Sequence, residues 1–236
     1  MSETTILKEL FTRGAHYGYS RRRRHPSVKP YLFGFKNRSA IVDLERTLEA
    51  LKLVETFLVG LGTERKQWLL VGSKPEAQTK IEATAKKLNM PYATSRWIGG
   101  TLTNFPEIKK RLTRLEELRT LLGVEGRSGY TKQERARFQK ELERLERNFG
   151  SLKLLNNLPA AIFVVDSEAE KLAVAEAHSL KIPIAGLCGT DCDIRLLDYP
   201  IIANDGNIKS IDWFVDRLAA AYELGLKTDP IKKEPV

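Results

Sequence analysis

WLLVGSKPEAQTKIEATAKKLNMPYAT, residues 68–94, decides the fold. Trp68 to Val71 is a short apolar run that stops at Gly72, which reads as a buried strand. Pro75 to Leu88 follows as a helix, with Pro75 in its first turn and Ser73 near the cap. Met90 to Thr94 is the next strand. Strand, helix and strand in so short a span imply a parallel pair with a right-handed crossover, the unit of an α/β protein.

Outward from this unit the pattern is kept on both sides. Asp43 caps a helix carrying Leu44, Leu48, Leu51 and Leu58 on one face, and Gly60 and Gly62 are expected to end it. Two short strands, Tyr31 to Phe35 and Ala40 to Val42, flank the turn 36–39. Residues 4–12 form a short helix. Later come strands at Ala160 to Val165, Ile182 to Leu187 and Pro200 to Ala203, and helices at Glu168 to Leu180 and Asn207 to Glu223. Gly225 is expected to stop the last helix, and 226–236 to fray.

One stretch breaks the alternation. Ile108, Leu112, Leu115, Leu118 or Arg119, and Leu122 recur at four and three residues, as do Phe138, Leu142, Leu145 and Phe149. Two narrow seams joined by the glycine-rich GVEGRSGY predict an antiparallel helical hairpin, each helix on the order of 25 Å long. The expected organisation is an α/β body from 1–106 and 150–225, an inserted hairpin at 107–149, and a tail at 226–236.

Charge separates these parts. The chain has 236 residues, 42% of them hydrophobic, with a net charge of +9. That hydrophobic content supports a sizeable core and argues against disorder. Nine basic and two acidic residues lie in 1–38, twelve basic and eight acidic in 107–149, and the remainder is near neutral. The arm GAHYGYSRRRRHPSVKP has no period and reads as a loop. Arg21, Arg22, Arg23 and Arg24 stand together in it, followed by Lys29, Lys36 and Arg38, with Tyr17, Tyr19 and Tyr31 interleaved. Cations that neutralise phosphates and rings that stack on bases point to a nucleic-acid partner.

Other chemistry finds little support. VGSKPEA opens a helix after a strand, so Lys74 is a candidate phosphate contact. It lacks the spacing of a phosphate-binding loop, and no GxGxxG is present. In RWIGGTLTNFPEIKK, Gly99 and Gly100 read as a tight turn, Thr103 or Asn104 as a cap and Pro106 as first-turn residue. Arg96 is expected to reach phosphate, while Trp97 either stacks or packs the hairpin's base. Cys188 and Cys192 in CGTDCD lack the second ligand pair of a zinc site. No metal or cofactor is called for. Two cysteines suit a reducing compartment, no apolar run has the length of a membrane span, and MSETTILKEL lacks a secretory core, so a cytosolic location is expected.

Several motifs in order resemble the small-subunit ribosomal protein two family across nearly the whole chain. They are GAHYGY, IVDLERT, VGSKPEA, RWIGGTLTN and the block from LPAAIFVVD through CGTDCD to DYPIIANDGNIKSI. Tyr19 stands at the family's usual His, Arg24-His25 at Trp-Asn, Gly189 and Gly206 at Asp, and Asp191 at Asn. The resemblance implies a Rossmann-like or flavodoxin-like parallel sheet flanked by helices, with an inserted helical hairpin. It implies binding to small-subunit ribosomal RNA and contact with neighbouring ribosomal proteins. In bacteria these include the large messenger-binding protein of OB-fold repeats. It implies no catalysis, and fits a cytoplasmic or a plastid ribosome. The alternative is a nucleotide-binding enzyme on the same scaffold; a DNA-binding adaptor is a third reading.

Overall fold

In a computed structural model, residues 2–123 and 130–228 are described. The elements in order are α1 (Glu3–Thr12), β1 (Tyr17–Ser20), β2 (Leu32–Lys36), β3 (Ser39–Val42), α2 (Leu44–Thr63), β4 (Trp68–Val71) and α3 (Pro75–Leu88). After them come β5 (Tyr92–Ala93), α4 (Phe105–Leu122), α5 (Lys132–Phe149), β6 (Ala161–Val165), α6 (Lys171–Ser179), β7 (Ile184–Cys188), β8 (Tyr199–Ile202) and α7 (Ile208–Lys227).

Five parallel strands pair in the order β5-β4-β6-β7-β8. Counted along the chain this is 2-1-3-4-5, the flavodoxin-like order, with its switch point between β4 and β6. Strand residues alternate between two cores. Trp68, Leu70, Phe163, Val165 and Leu187 face α2, α3 and α7. Leu69, Val71, Ile162, Val164 and Cys188 lie in a second core with α6 and the inward residues of α4 and α5. Burial on both faces is why these strands read as continuous apolar runs. The sequence expectation of a parallel α/β sheet flanked by helices is met.

The arm departs from the expected loop. Tyr17–Ser20 is strand β1, which joins β3 and β2 in an antiparallel sheet ordered β1-β3-β2, and Pro26–Tyr31 is a 3-10 turn. Asn37 and Arg38 both have positive φ, 49° and 67°, as a two-residue hairpin turn requires. The period is hidden because β1 has only four residues and pairs with chain far ahead in sequence.

Three glycine readings fail. α2 runs through Gly60 and Gly62 to Thr63, and α7 runs through Gly225 to Lys227. The last two glycines face each other where these helices cross. A Cβ on Gly62 would lie 2.9 Å from Gly225 Cα. They are close-approach residues, not stops. Gly225→Ala is expected to cost about 1–3 kcal/mol through overpacking; an unchanged urea midpoint would refute this contact. The tail reading is corrected for 226–228, and 229–236 lie outside the described residues.

α4 and α5 pack along the expected seam. Ile108, Leu112, Leu115, Leu118, Leu145 and Phe149 are buried. Arg114 reaches Glu141 at 3.1 Å and Arg119 binds Glu146. Thr131 caps α5 with a reciprocal bond from Glu134. Of the joining stretch GVEGRSGY, residues 124–129 lie outside the described residues.

Candidate nucleic-acid interface

The carboxyl ends of β4 and β6 are where an open α/β sheet offers its ligand crevice. Here that place is filled by the chain itself. Lys74 Nζ lies 2.7 Å from Asp166 Oδ2 and 2.9 Å from Asp205 Oδ2, and donates to the Tyr19 hydroxyl at 3.2 Å. The Ser73 amide donates to Glu170 at 2.7 Å. Lys74 is therefore an internal counter-ion, not the phosphate contact expected of it. Burial opposes its charge, but Asp205 and Asp166 outweigh burial and hold its pKa above the usual lysine value. Burial raises Asp205 to about 6 in spite of Lys74. Asp166 feels the same burial, yet the hydrogen bond from Lys74 and the Ala169 amide keep it below its ordinary value. A nucleotide-binding reading needs this crevice open.

Asp166, Cys192 and Asp205 bring three potential ligand atoms within 4.8 Å of one another. The Lys74 ammonium already lies against both carboxylates. Hydrogen bonding with Cys188, then burial, keeps the Cys192 thiol protonated, well above the usual thiol range. The arrangement is that of a satisfied core cluster with its cation built in.

The CGTDCD loop has a different task, which is to anchor the arm. Thr190 accepts the Tyr19 amide on its Oγ1 at 2.8 Å and the His25 amide on its carbonyl at 2.9 Å. Ser27 Oγ accepts from the Ile194 amide at 3.3 Å. Arg23 Nε lies 2.9 Å from Asp191, with its guanidinium 4.3 Å above the Tyr19 ring. Arg21 and Arg24 sit over the ring of Phe35 at 5.3 and 5.8 Å. Arg21, Arg22 and Arg38 line a groove of about 690 Å³ beside Ser20. Lys29 and Lys36 are exposed on the same arm. The arm is a shaped, multiply charged surface, suited to a phosphate backbone.

The family model of ribosomal protein S2 matches residues 10–225. The chain belongs to the ribosomal protein S2 family. Among family members, the small ribosomal subunit protein uS2 of Salinispora arenicola is 39% identical over 221 residues, covering 93% of this chain and 79% of that protein. The uS2 of Geotalea uraniireducens is 36% identical over 232 residues, 98% of this chain and 90% of that protein. That of Nitratiruptor is 38% identical, covering 91% and 80%.

The stretch RWIGGTLTN resolves into two fates. Arg96 is exposed at the root of α4. Trp97 is 7% exposed, and its indole N–H donates to Glu176 at 3.1 Å. Its ring packs the base of the hairpin and has no open face for a base, so the stacking expectation is corrected. Glu176 was missed by sequence reading. Its carboxylate also accepts the amides of Gly100, Leu102 and Thr103 at 2.8–3.1 Å. Burial pushes its pKa up, but these donors win and hold it below the ordinary value. Neither Asn104 nor Thr103 caps α4 through its side chain; Glu176 fixes that turn instead. Among the described residues no helix is long and apolar enough to cross a membrane.

Proposed function

We propose that this chain binds small-subunit ribosomal RNA through its basic arm and through the outer face of its hairpin, and that its near-neutral body is the scaffold that holds both. Family membership makes it a structural constituent of the small ribosomal subunit and not an enzyme. The observation that carries the finer reading is the anchored arm. Arg21, Arg22, Arg23 and Arg38, with Lys29 and Lys36, are set around one small sheet by bonds to the 189–194 loop.

The hairpin at 107–149 supplies the second surface. Arg114 and Arg119 are occupied by cross-helix carboxylates. On α5, exposed Arg137, Lys140, Arg144 and Arg147 recur at three and four residues and form no ion pair among the described residues. That spacing puts them on one face. Arg96 lies at the same hairpin's root and belongs to this surface.

A third surface suits a neighbouring protein. A groove of about 620 Å³ between α1 and β2 is lined by Leu7, Phe11, Phe33, Val42 and Leu44. Phe11 is 63% and Phe33 82% exposed. Lys8, Asp43 and Glu45 also line it; apolar relief with two carboxylates and one ammonium favours a protein over RNA. In bacteria the OB-repeat messenger-binding protein is the partner that the family resemblance suggests. The setting is the cytoplasmic ribosome.

Replacing Arg21, Arg22, Arg23 and Arg24 together by Ala tests the arm. Co-sedimentation with small subunits should weaken, and the slope of log affinity against log salt should flatten by about 3 units if all four meet phosphates. Wild-type occupancy across the salt series would end the assignment.

A further inference from the structure

Of the four adjacent arginines only Arg23 is held from two sides. Its side chain is 62% exposed, whereas that of Asp191 behind it is 6% exposed. The carboxylate lies against Nε at 2.9 Å, the inner edge of the guanidinium. Tyr19 supports the plane from below at 4.3 Å. The outer N–H groups are left to a ligand, and the fork they make fits two oxygens of a phosphate.

The supports are themselves fixed. Tyr19 is held by its amide on Thr190 and its hydroxyl on Lys74. Gly189 makes the space: a Cβ there would lie 2.8 Å from the Tyr19 ring and 2.9 Å from Asp191 Oδ1. Tyr19, Gly189 and Asp191 thus meet in one contact. By comparison, Arg22 has no partner among the described residues, and Arg24 is half-buried beside Phe35.

We infer that Arg23 is the phosphate-capturing arginine of the arm and that Tyr19 and Asp191 are its positioning residues. The inference rests on the RNA-binding reading above. Holding the guanidinium in advance removes the rotamer cost that a free arginine bears on binding. Asp191 subtracts a unit of positive charge from the arm, yet in this arrangement it strengthens binding.

That opposition of signs is the test. Binding of the full chain to deproteinised small-subunit ribosomal RNA is measured over a salt series. Arg23→Ala should weaken binding about tenfold and reduce the salt slope by about 1, as one lost phosphate contact does. Asp191→Asn raises the net charge, so a purely long-range effect would tighten binding; positioning predicts weakening of about threefold or more. Tyr19→Leu, which removes the supporting ring but leaves every charge in place, should weaken binding likewise. Unchanged binding by Arg23→Ala, or tighter binding by Asp191→Asn, overturns the inference. If the fourfold alanine variant also binds as wild type, the RNA-binding reading has failed. If that variant loses binding and Arg23→Ala does not, only the present inference has.

Discussion

Lys74→Ala is expected to destabilise the fold by about 3–5 kcal/mol, because it strands two buried carboxylates with no cation between them. Asp166 and Asp205 have side chains 8% and 1% exposed, and Lys74 touches both. In a chain of this size such a loss lowers the melting temperature by about 10 °C. The deficit depends on pH. Asp205 titrates near 6 in the fold, above its ordinary 3.8. Between these values the unfolded chain has released a proton that the folded chain still holds, so this group's contribution falls as pH rises. Without Lys74 the Asp205 carboxyl is raised further, since Asp166 also repels it. The variant should therefore lose less at pH 5, where Asp205 is neutral, than at pH 8. Chemical denaturation at the two pH values checks this. An equal deficit at both would mean that the charges are not what Lys74 compensates.

Glu176→Ala carries the next largest effect. One carboxylate gathers the Trp97 indole and the amides of Gly100, Leu102 and Thr103. Removing it leaves several donors of the turn unmatched, at about 2–4 kcal/mol given its partial exposure. Because this carboxyl is depressed in the fold, its contribution is present above about pH 4.5 and is lost as pH falls through the lower folded value. Amide exchange at Gly100, Leu102 and Thr103 should quicken by about a hundredfold. If those amides stay protected, the turn is held by something other than Glu176. Gln at this position keeps the size but turns one oxygen into a donor facing donors, so it should not restore protection.

Much of the body was legible because burial on both faces of a parallel sheet leaves continuous apolar runs, as at Trp68–Val71 and Ala161–Val165. The seam of α4 and α5 was legible through its three-four spacing. What escaped was set by distant partners. β1 is four residues whose register comes from β3, 19 to 24 positions on. Gly62 and Gly225 look like helix stops because a local reading cannot see the helix that each one touches. Lys74 looks like a phosphate ligand because Asp166 and Asp205 lie 92 or more positions away. Glu176 gave no signal at all: a glutamate on a short helix is ordinary until the loop it holds is known. The arginine run stood out in the sequence; which arginine is held, and by what, required the 189–194 loop.

The arm's moorings have a consequence for how the arm acquires its shape. Gly14 and Ala15 bond to Asn204, Arg13 to Asn207, and Tyr19 and His25 to Thr190. The arm is thus shaped by residues 171 to 194 positions further along the chain. Before residues 190–207 fold against it, the arm has none of these bonds, and its four adjacent arginines are a flexible cationic string. Docking of residues 190–207 converts them into a fixed surface. The charge of the arm is local in sequence, whereas its shape exists only once residues 190–207 have folded against it.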